Sequence, residues 1–437
     1  MHVAVGAGNV LAGRMYCDRD LAPASASFVY EGSYLADPDA YALDPALPLG
    51  TGTLRTPAGR DLFGAFADST PDRWGRTLIQ RAERARAQAA GSAPRPMDEV
   101  DVLLGVRDDL RQGALRYRLS HQVPFLAAGA PAVPGLTDLP ELLDIAGRAE
   151  RGTASQEELD RLLQAGGSLG GARPKVHVLA AGGRVAIAKF PRATADIWNV
   201  MAWEKVALDL ARDAGVTVTD SQLISFGDRQ VLIVDRFDRR GGDRVGYASA
   251  RTMLEASGAD QRSYLEIAAV IEDRSPAAAA DLRELWRRIA FSILISNTDD
   301  HLRNHGFLHE RGGSWALSPA FDLNPDPRPG PGSGSGFGSG SGSGSGSGPK
   351  NLSTAIDYTD TRASVTTLLR VADHFGLDDS SALGVLAEVT QAVAGWRAVA
   401  AGHGLPEREI DIMEPAFEHP ESERARAMTG ASRRFRT

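Results

Sequence analysis

The sequence predicts an α+β protein with a mixed, sheet-containing N-terminal part and a helical C-terminal part. Strand and turn patterns run through the chain as far as about residue 240, whereas apolar spacings of three and four residues dominate 251–300 and 361–402. The 437 residues are 43% hydrophobic and 24% charged, which suits a globular chain with two or three packed lobes. We therefore predict an N-terminal lobe over 1–245 and a helical lobe over 246–437.

The N-terminal elements follow from local signals taken in order. Residues 1–85 indicate short strands and then helices, and residues 86–100 indicate a linker. A strand is predicted at 114–118, and two helices with N-cap candidates follow over 137–152 and 153–167. The segment 166–240 then indicates a loop, a strand, a Gly-Gly turn, a second strand, an amphipathic helix and two further strands.

Composition excludes several classes of protein. The formal net charge of -8 disfavours a chain that coats nucleic acid by itself. The one cysteine, Cys17, excludes an intramolecular disulfide and a cysteine-based metal cluster. The start of the chain lacks a signal-peptide pattern, and no run of about 18 apolar residues occurs. We therefore expect a cytoplasmic protein without a membrane span.

A low-complexity run of almost pure Gly and Ser occupies residues 330–348. Such a composition cannot form a packed core, so it predicts a flexible loop. The run is compatible with natural low complexity and with an engineered insertion.

The strongest chemical signal is ISNTDDHLRNHGF at 295–307, after an apolar helical segment. In protein kinases a loop Asp orients the attacking hydroxyl, and an Asn five residues later binds Mg²⁺. Asp299 and Asn304 have this spacing, and Asp322 in the loop 318–325 would supply a second metal ligand. The competing interpretation is that Asp and Asn simply form turns in surface loops.

A second signal is Lys189, in the predicted strand RVAIAKFP. Alternation places Val185, Ile187 and Lys189 on one face, from which a lysine beside a Gly-rich loop could reach the α- and β-phosphates of a nucleotide. Glu204 on the following helix is the candidate ion-pair partner of Lys189. The alternatives are an edge-strand charge for Lys189 and a solvated helix face for Glu204.

A third signal is the loop GGSLGGARPK at 166–175, where glycines allow backbone N–H groups to approach phosphate oxygens. It is not a Walker A motif, and glycine is common throughout this chain. Downstream, Asp235 and Phe237 in VLIVDRFDR are candidates for contacting the base or the ribose, although an ordinary buried strand explains them too. A zinc site formed by His301 and His305 is disfavoured by its loop context.

Taken together, NTDDHLRNHGF, LSPAFDLNP, GGARPK and AIAKFP resemble the HipA-like kinases. The resemblance covers nearly the whole chain, because YEGSYLADPDAYALDPALPL and LFGAFADSTPDRWGR are similar to that family's N-terminal subdomain, here 1–125. It implies a two-lobed protein-kinase-like fold that uses ATP and Mg²⁺. Arg303, where lysine is frequent, and Arg173-Pro174, which replace a polar pair, depart from the family pattern.

The resemblance also implies roles for individual residues. Asp299 would be the catalytic base, and Asn304 and Asp322 would be the metal ligands. Lys189 would be the phosphate-binding lysine, and Gly170, Gly171, Ala172 and Lys175 would belong to the phosphate loop. Glu204, Asp235, Phe237 and His301 are further candidate nucleotide contacts in this chain. Ser168 matches the serine that the family autophosphorylates, and a dianion beside a phosphate cradle should repel ATP.

Family members usually act as toxins paired with a helix-turn-helix antitoxin, and they phosphorylate translation factors such as aminoacyl-tRNA synthetases. The resemblance therefore implies contact with DNA only through the antitoxin. A small-molecule kinase on the same fold and a non-catalytic antitoxin-binding co-repressor remain alternatives.

Overall fold

A computed structural model describes residues 1–18, 25–120, 122–125, 132–166, 173–193, 196–257, 260–328 and 350–430. These residues form two compact units, each built from several chain segments. Unit 1 comprises Met1–Asp196, Ile224–Glu255 and Phe307–Ser314, and unit 2 comprises Ile197–Leu223, Ala256–Gly306 and Trp315–Thr437. No helix in the described part of the chain is both long enough and apolar enough to cross a bilayer.

The first sheet of unit 1 has five antiparallel strands in the order β4-β3-β2-β1-β5. The strands are β1 (His2–Val5), β2 (Val10–Asp18), β3 (Ser25–Tyr30), β4 (Leu54–Arg55) and β5 (Leu115–Arg118). Strand β3 shows why the sheet has one buried face, since Ala26, Phe28 and Tyr30 are buried while the residues between them are only half-buried.

The second sheet of unit 1 has four strands in the order β6-β7-β9-β8. These strands are β6 (Lys175–Leu179), β7 (Val185–Lys189), β8 (Ser221–Phe226) and β9 (Arg229–Asp235). Two shorter pairings complete the strands of this unit: β10 (Arg239–Arg240) with β11 (Asp243–Arg244), and β12 (Tyr247–Ser249) with β13 (Gly306–His309).

The helices of unit 1 pack against these sheets. They are α1 (Gly32–Leu35), α2 (Gly64–Asp68), α3 (Arg73–Ala89), α4 (Glu99–Leu104), α5 (Leu139–Arg151), α6 (Gln156–Gln164) and α8 (Ala250–Met253). Apolar residues of α3, α5 and α6 form one core with the inner face of the four-stranded sheet. The opposite face of this sheet carries Lys175, His177 and Lys189 together with apolar residues such as Ile187 and Val234.

Unit 2 is helical apart from β14 (Trp315–Leu317) and strand ends. Its helices are α7 (Val200–Asp213), α9 (Tyr264–Arg274), α10 (Ala278–Leu294), α11 (Val365–Arg370), α12 (Asp379–Val393), α13 (Trp396–Gly402), α14 (Glu407–Phe417) and α15 (Pro420–Thr429). The rings of Trp203, Trp396 and Phe417 pack together and join α7, α13 and α14. The last turns of α10, Arg288–Leu294, are buried throughout and lead directly into the predicted catalytic loop.

The predicted α+β class is confirmed, and the helices and strands expected within 114–240 are present. The expected linker at 86–100 is shorter than predicted, because α3 continues to Ala89 and α4 begins at Glu99. Alanine and arginine are strong helix formers, which extends α3, and a capping box between Asp98 and Asp101 starts α4 early. The predicted Gly/Ser loop at 330–348 lies outside the described residues.

Candidate active site

The loop that follows α10 places Asp299 where a base could act. Asp299 Oδ1 is buried and has no hydrogen-bond partner among the described residues. Burial raises the pKa of the Asp299 carboxyl; the His301 imidazole opposes the increase, while the charge of Asp322 adds to it. Buried oxygens without a partner are rare in folded proteins and identify places where a ligand group can bind.

Asn304 is bound to the same loop in a way that fixes its amide. Its Nδ2 donates to the backbone oxygen of Asp299 at 3.0 Å, which leaves Oδ1 as the atom that can bind a cation. The backbone N–H of His301 donates to that same Asp299 oxygen at 2.9 Å, and Asn304 N–H donates to His301 oxygen at 2.8 Å. The spacing predicted from the sequence therefore corresponds to one tight turn in which Asp299 and Asn304 are neighbours.

Asp322 lies in the second predicted loop of unit 2 with an unusual backbone. Its φ is +59°, in the left-handed region that costs an L-residue about 1–2 kcal/mol and that Asp and Asn tolerate best. Asn324 Nδ2 donates to Asp322 Oδ1 at 3.3 Å. Because the charge of Asp322 acts on the pKa of Asp299, the two carboxylates belong to one electrostatic cluster.

A buried polar network supports the catalytic loop through Asp300, the residue after Asp299. Tyr264 Oη and Ser292 Oγ donate to Asp300 Oδ2 at 2.6 and 3.2 Å, and His305 Nε2 lies 3.0 Å from Asp300 Oδ1. The backbone oxygen of Asp300 accepts from Thr354 Oγ1 at 2.7 Å. These contacts hold the pKa of Asp300 below its ordinary value despite burial, so this carboxylate stays ionised and structural.

The donor set of these loops fits Mg²⁺. In the described part of the chain, no three or more His, Cys, Asp or Glu side chains form a group that could hold a metal ion by themselves. A cation here would therefore need ligands from phosphates and water as well. Mg²⁺ prefers oxygen ligands and is usually held by one or two protein carboxylates together with phosphates and water. Asp322 and the Oδ1 atom of Asn304 provide such oxygens.

Lys189 lies at the end of β7, an interior strand of the four-stranded sheet in unit 1. Ala186 and Ala188 face the core, whereas Val185, Ile187 and Lys189 are half-buried on the opposite face. The predicted alternation is therefore present, and an interior position argues against the edge-strand interpretation. Contact of Lys189 with phosphates stays a prediction.

The predicted phosphate loop is described only at its ends. Gly170, Gly171, Ala172 and Ser168 lie outside the described residues. Lys175, at the start of β6, is almost completely buried, and its ammonium pairs with the carboxylate of Asp72. Arg173 pairs with Asp196 at 2.7 Å. This chain therefore has a structural partner for Lys175 that the sequence analysis did not anticipate.

The remaining predicted nucleotide contacts have various surroundings. Glu204 is buried within α7, which is incompatible with a solvated helix face. The Asp235 carboxylate forms an ion pair with exposed Arg184 at 2.9 Å, and Phe237 packs against the cluster that contains Tyr247. His301 Nδ1 is buried without a hydrogen-bond partner among the described residues. Their roles at a nucleotide stay predictions.

Sequence reasoning missed the residues that support the loops. Asn297, Asn324 and Asp300 lie within two residues of predicted site residues, and Tyr264 lies on α9 far away in the sequence. The short spacing Asp322-x-Asn324 could have indicated a side-chain bond within a turn. The contact with Tyr264 has no local signal in the sequence.

Three comparisons relate this chain to known proteins. The sequence profile of the HipA-like C-terminal domain matches residues 167–396, which is more than half of the chain. A Haemophilus influenzae protein named "Putative kinase" is 28% identical over 135 residues, which cover 28% of this chain and 39% of that protein. A Sinorhizobium fredii protein named "Putative kinase Y4dM" is 30% identical over 135 residues, which cover 28% of this chain and 32% of that protein. The matched segment thus spans well under half the length of these relatives.

The structural comparison extends over almost the entire molecule. A HipA chain from Shewanella oneidensis, solved as a toxin–antitoxin system with HipB and operator DNA, has a TM-score of 0.64 and 16% sequence identity. The similarity covers 98% of this chain and 96% of that chain, so the fold is shared from end to end. With the domain match over 167–396, these findings show that the chain belongs to the HipA-like family.

Proposed function

We propose that this protein is a serine/threonine protein kinase that uses ATP and Mg²⁺ and acts as the toxin of a toxin–antitoxin pair. The observation that carries the proposal is the buried, unpartnered Oδ1 atom of Asp299, beside Asn304 and under the electrostatic influence of Asp322. Phosphoryl transfer needs little covalent chemistry from the protein, so a carboxylate to orient the hydroxyl and oxygen ligands for a cation are its central requirements.

Each residue has a distinct role in this proposal. Asp299 Oδ1 accepts the hydrogen bond of the substrate hydroxyl and orients its oxygen for attack. Asn304 and Asp322 hold Mg²⁺, which when bound neutralises charge on the β- and γ-phosphates. The Lys189 ammonium binds the α- and β-phosphates as a compact point charge.

The toxin role and its partners rest on family membership. The Shewanella protein with the same fold was solved with HipB and operator DNA. We propose by analogy a helix-turn-helix antitoxin as the partner of this chain, with DNA contacted only through it. The proposed target is a translation factor such as an aminoacyl-tRNA synthetase. Ser168 is the proposed site of autophosphorylation, which would place repelling charge in the phosphate loop.

The test is transfer of ³²P from γ-labelled ATP by the purified full chain, with and without a bacterial lysate. The wild-type chain should label itself and at least one lysate protein. Asp299→Asn should reduce both signals by about 10²–10⁴-fold, the usual contribution of a positioned base. Asp220→Asn is the control, because that side chain is 88% exposed and should leave transfer unchanged.

Two outcomes contradict the proposal. Labelling of a small molecule without any labelled protein would identify a metabolite kinase instead. A folded wild-type chain that transfers no phosphate under any condition would indicate a non-catalytic binding partner. Loss of self-labelling in Ser168→Ala, with lysate labelling retained, would locate the autophosphorylation site.

A further inference from the structure

Two hydrogen bonds join the loop that carries Asp299 to the loop that carries Asp322. The backbone N–H of Asn324 donates to Asn297 Oδ1 at 3.2 Å. Two residues further along, the backbone N–H of Asp326 donates to the backbone oxygen of Ser296 at 3.3 Å. The segment 322–326 is thus attached to 296–297 by one side-chain bond and one backbone bond.

Asn324 also contacts Asp322, the candidate metal ligand. Its Nδ2 donates to Asp322 Oδ1, so Asn324 is bound to Asn297 through its backbone and to Asp322 through its side chain. The backbone of Asp322 is left-handed, and strained positions of this kind persist only when surrounding contacts hold them. The bonds through Asn324 provide such contacts.

Asn297 is in turn fixed by the buried end of α10. Its backbone N–H donates to the Ser292 backbone oxygen at 2.9 Å, and its Nδ2 donates to Ser292 Oγ at 3.3 Å. The side chain is 1% exposed and uncharged. A buried amide with donor and acceptor both engaged is suited to holding a neighbouring segment in one orientation.

We infer that Asn297 and Asn324 are positioning residues that fix the Asp322 carboxylate for cation binding. The series runs from the Ser292 oxygens through Asn297 and Asn324 to Asp322. This inference rests on the proposed function, because it assumes that Asp322 binds the metal of a nucleotide. Partners of metal ligands commonly control metal affinity by 10- to 100-fold.

The test uses Mn²⁺ as a paramagnetic substitute for Mg²⁺, and free Mn²⁺ is measured by electron paramagnetic resonance. The full chain is titrated in the presence of a non-hydrolysable ATP analogue. Asn297→Ala and Asn324→Ala should each weaken Mn²⁺ binding about 10-fold. Because both residues act in one series, the Mn²⁺ affinity of the double variant should be only slightly lower than that of the more weakly binding single variant. If the two residues acted independently, the two fold-losses in affinity would multiply.

The matched control is Thr390→Val in α12. Thr390 is buried and donates from Oγ1 to the Leu386 oxygen at 2.7 Å, so its substitution also removes a buried hydrogen bond of unit 2. Mn²⁺ affinity should stay at the wild-type value in this variant. Asn297→Asp retains the acceptor oxygen for the Asn324 N–H and should bind Mn²⁺ better than Asn297→Ala.

The outcomes separate the inference from the function on which it rests. Wild-type Mn²⁺ affinity in Asn297→Ala and Asn324→Ala, in a chain whose wild type transfers phosphate, would overturn the inference alone. Multiplicative losses of Mn²⁺ affinity in the double variant would also overturn it, because Asn297 and Asn324 would then act independently. A loss in Thr390→Val as large as that in the asparagine variants would overturn it too, since general destabilisation would then be the cause. A wild-type chain that binds no Mn²⁺ with the nucleotide and transfers no phosphate would overturn both.

Discussion

At the scale of single residues, His177 shows how burial changes the chemistry of a side chain. Its Nδ1 lies 2.7 Å from the Gly166 backbone oxygen, and because that oxygen can only accept, Nδ1 must donate. Complete burial, helped by the nearby Arg236 guanidinium, lowers the pKa of His177 to about 3. The imidazole is therefore neutral in the folded protein at any pH at which enzymes commonly work.

This protonation state predicts a loss of stability in acid. The pKa of His177 is about 3 when folded and 6.5 when exposed, so the unfolded chain binds more protons between these values. The free energy of unfolding should therefore fall as pH decreases from about 6.5 toward 3, by up to about 1.4 kcal/mol per pH unit from this group. His177→Asn keeps a donor for the Gly166 oxygen and removes the titration.

Urea denaturation between pH 4 and 7 checks this prediction. The variant should lose less stability on acidification than the wild type. His419, whose pKa burial lowers to about 4, is present in both proteins, so the difference between them reports on His177. Identical pH profiles for the two proteins would contradict the prediction.

At the scale of elements, a buried ion pair attaches α3 to the four-stranded sheet of unit 1, which carries Lys189. Lys175 on β6 lies directly opposite Lys189 on β7, which places two lysines on one face. Asp72 is the N-cap of α3, where Oδ1 accepts from the Gly75 N–H at 2.9 Å, while Oδ2 pairs with the Lys175 ammonium. The Asp72 carboxylate thus caps a helix and also compensates the positive charge of Lys175, which lies opposite Lys189.

Removing one member of this pair should destabilise unit 1 strongly. Lys175→Met leaves the Asp72 carboxylate buried without its cation, which should lower the free energy of unfolding by about 3–5 kcal/mol. Adding Asp72→Asn to that variant should recover part of the loss, because no isolated charge then remains. Chemical denaturation at pH 7 measures both changes.

The control for the buried pair is Arg184→Met. It removes the exposed ion pair with Asp235 and should cost less than about 1 kcal/mol, since Arg184 is 62% exposed. A cost for Lys175→Met as small as that of Arg184→Met would show that the buried pair does not stabilise the unit.

At the scale of the whole molecule, local features were predictable and long-range contacts were not. The α+β class, the strand alternation at Lys189 and the Asp299–Asn304 spacing are all periodic or local, so the sequence alone indicates them. The bond between Asn297 and Asn324 joins residues 27 positions apart, and the pair of Asp72 and Lys175 joins residues 103 positions apart. The pairing of such distant groups depends on the packing of complete elements.

The joining of chain segments into units is long-range for the same reason. Ile224–Glu255 and Phe307–Ser314 belong to unit 1 although both follow segments of unit 2. The spacing of apolar residues indicates whether a segment forms a strand or a helix. It does not indicate which distant segment will cover the apolar face of that element. The structure supplies that information, because it shows which segments make up each unit.

The action of the complete chain in cells gives the last prediction. If growth arrest depends on phosphoryl transfer, its severity should follow catalytic competence: strongest for the wild type, weaker for Asn297→Ala and absent for Asp299→Asn. The intermediate effect is expected because Asn297→Ala weakens cation binding without removing the base. Colony counts after induced expression in a bacterium measure arrest, and immunoblots confirm equal protein levels. Arrest by Asp299→Asn as severe as that of the wild type would show that the chain acts by binding a cellular partner.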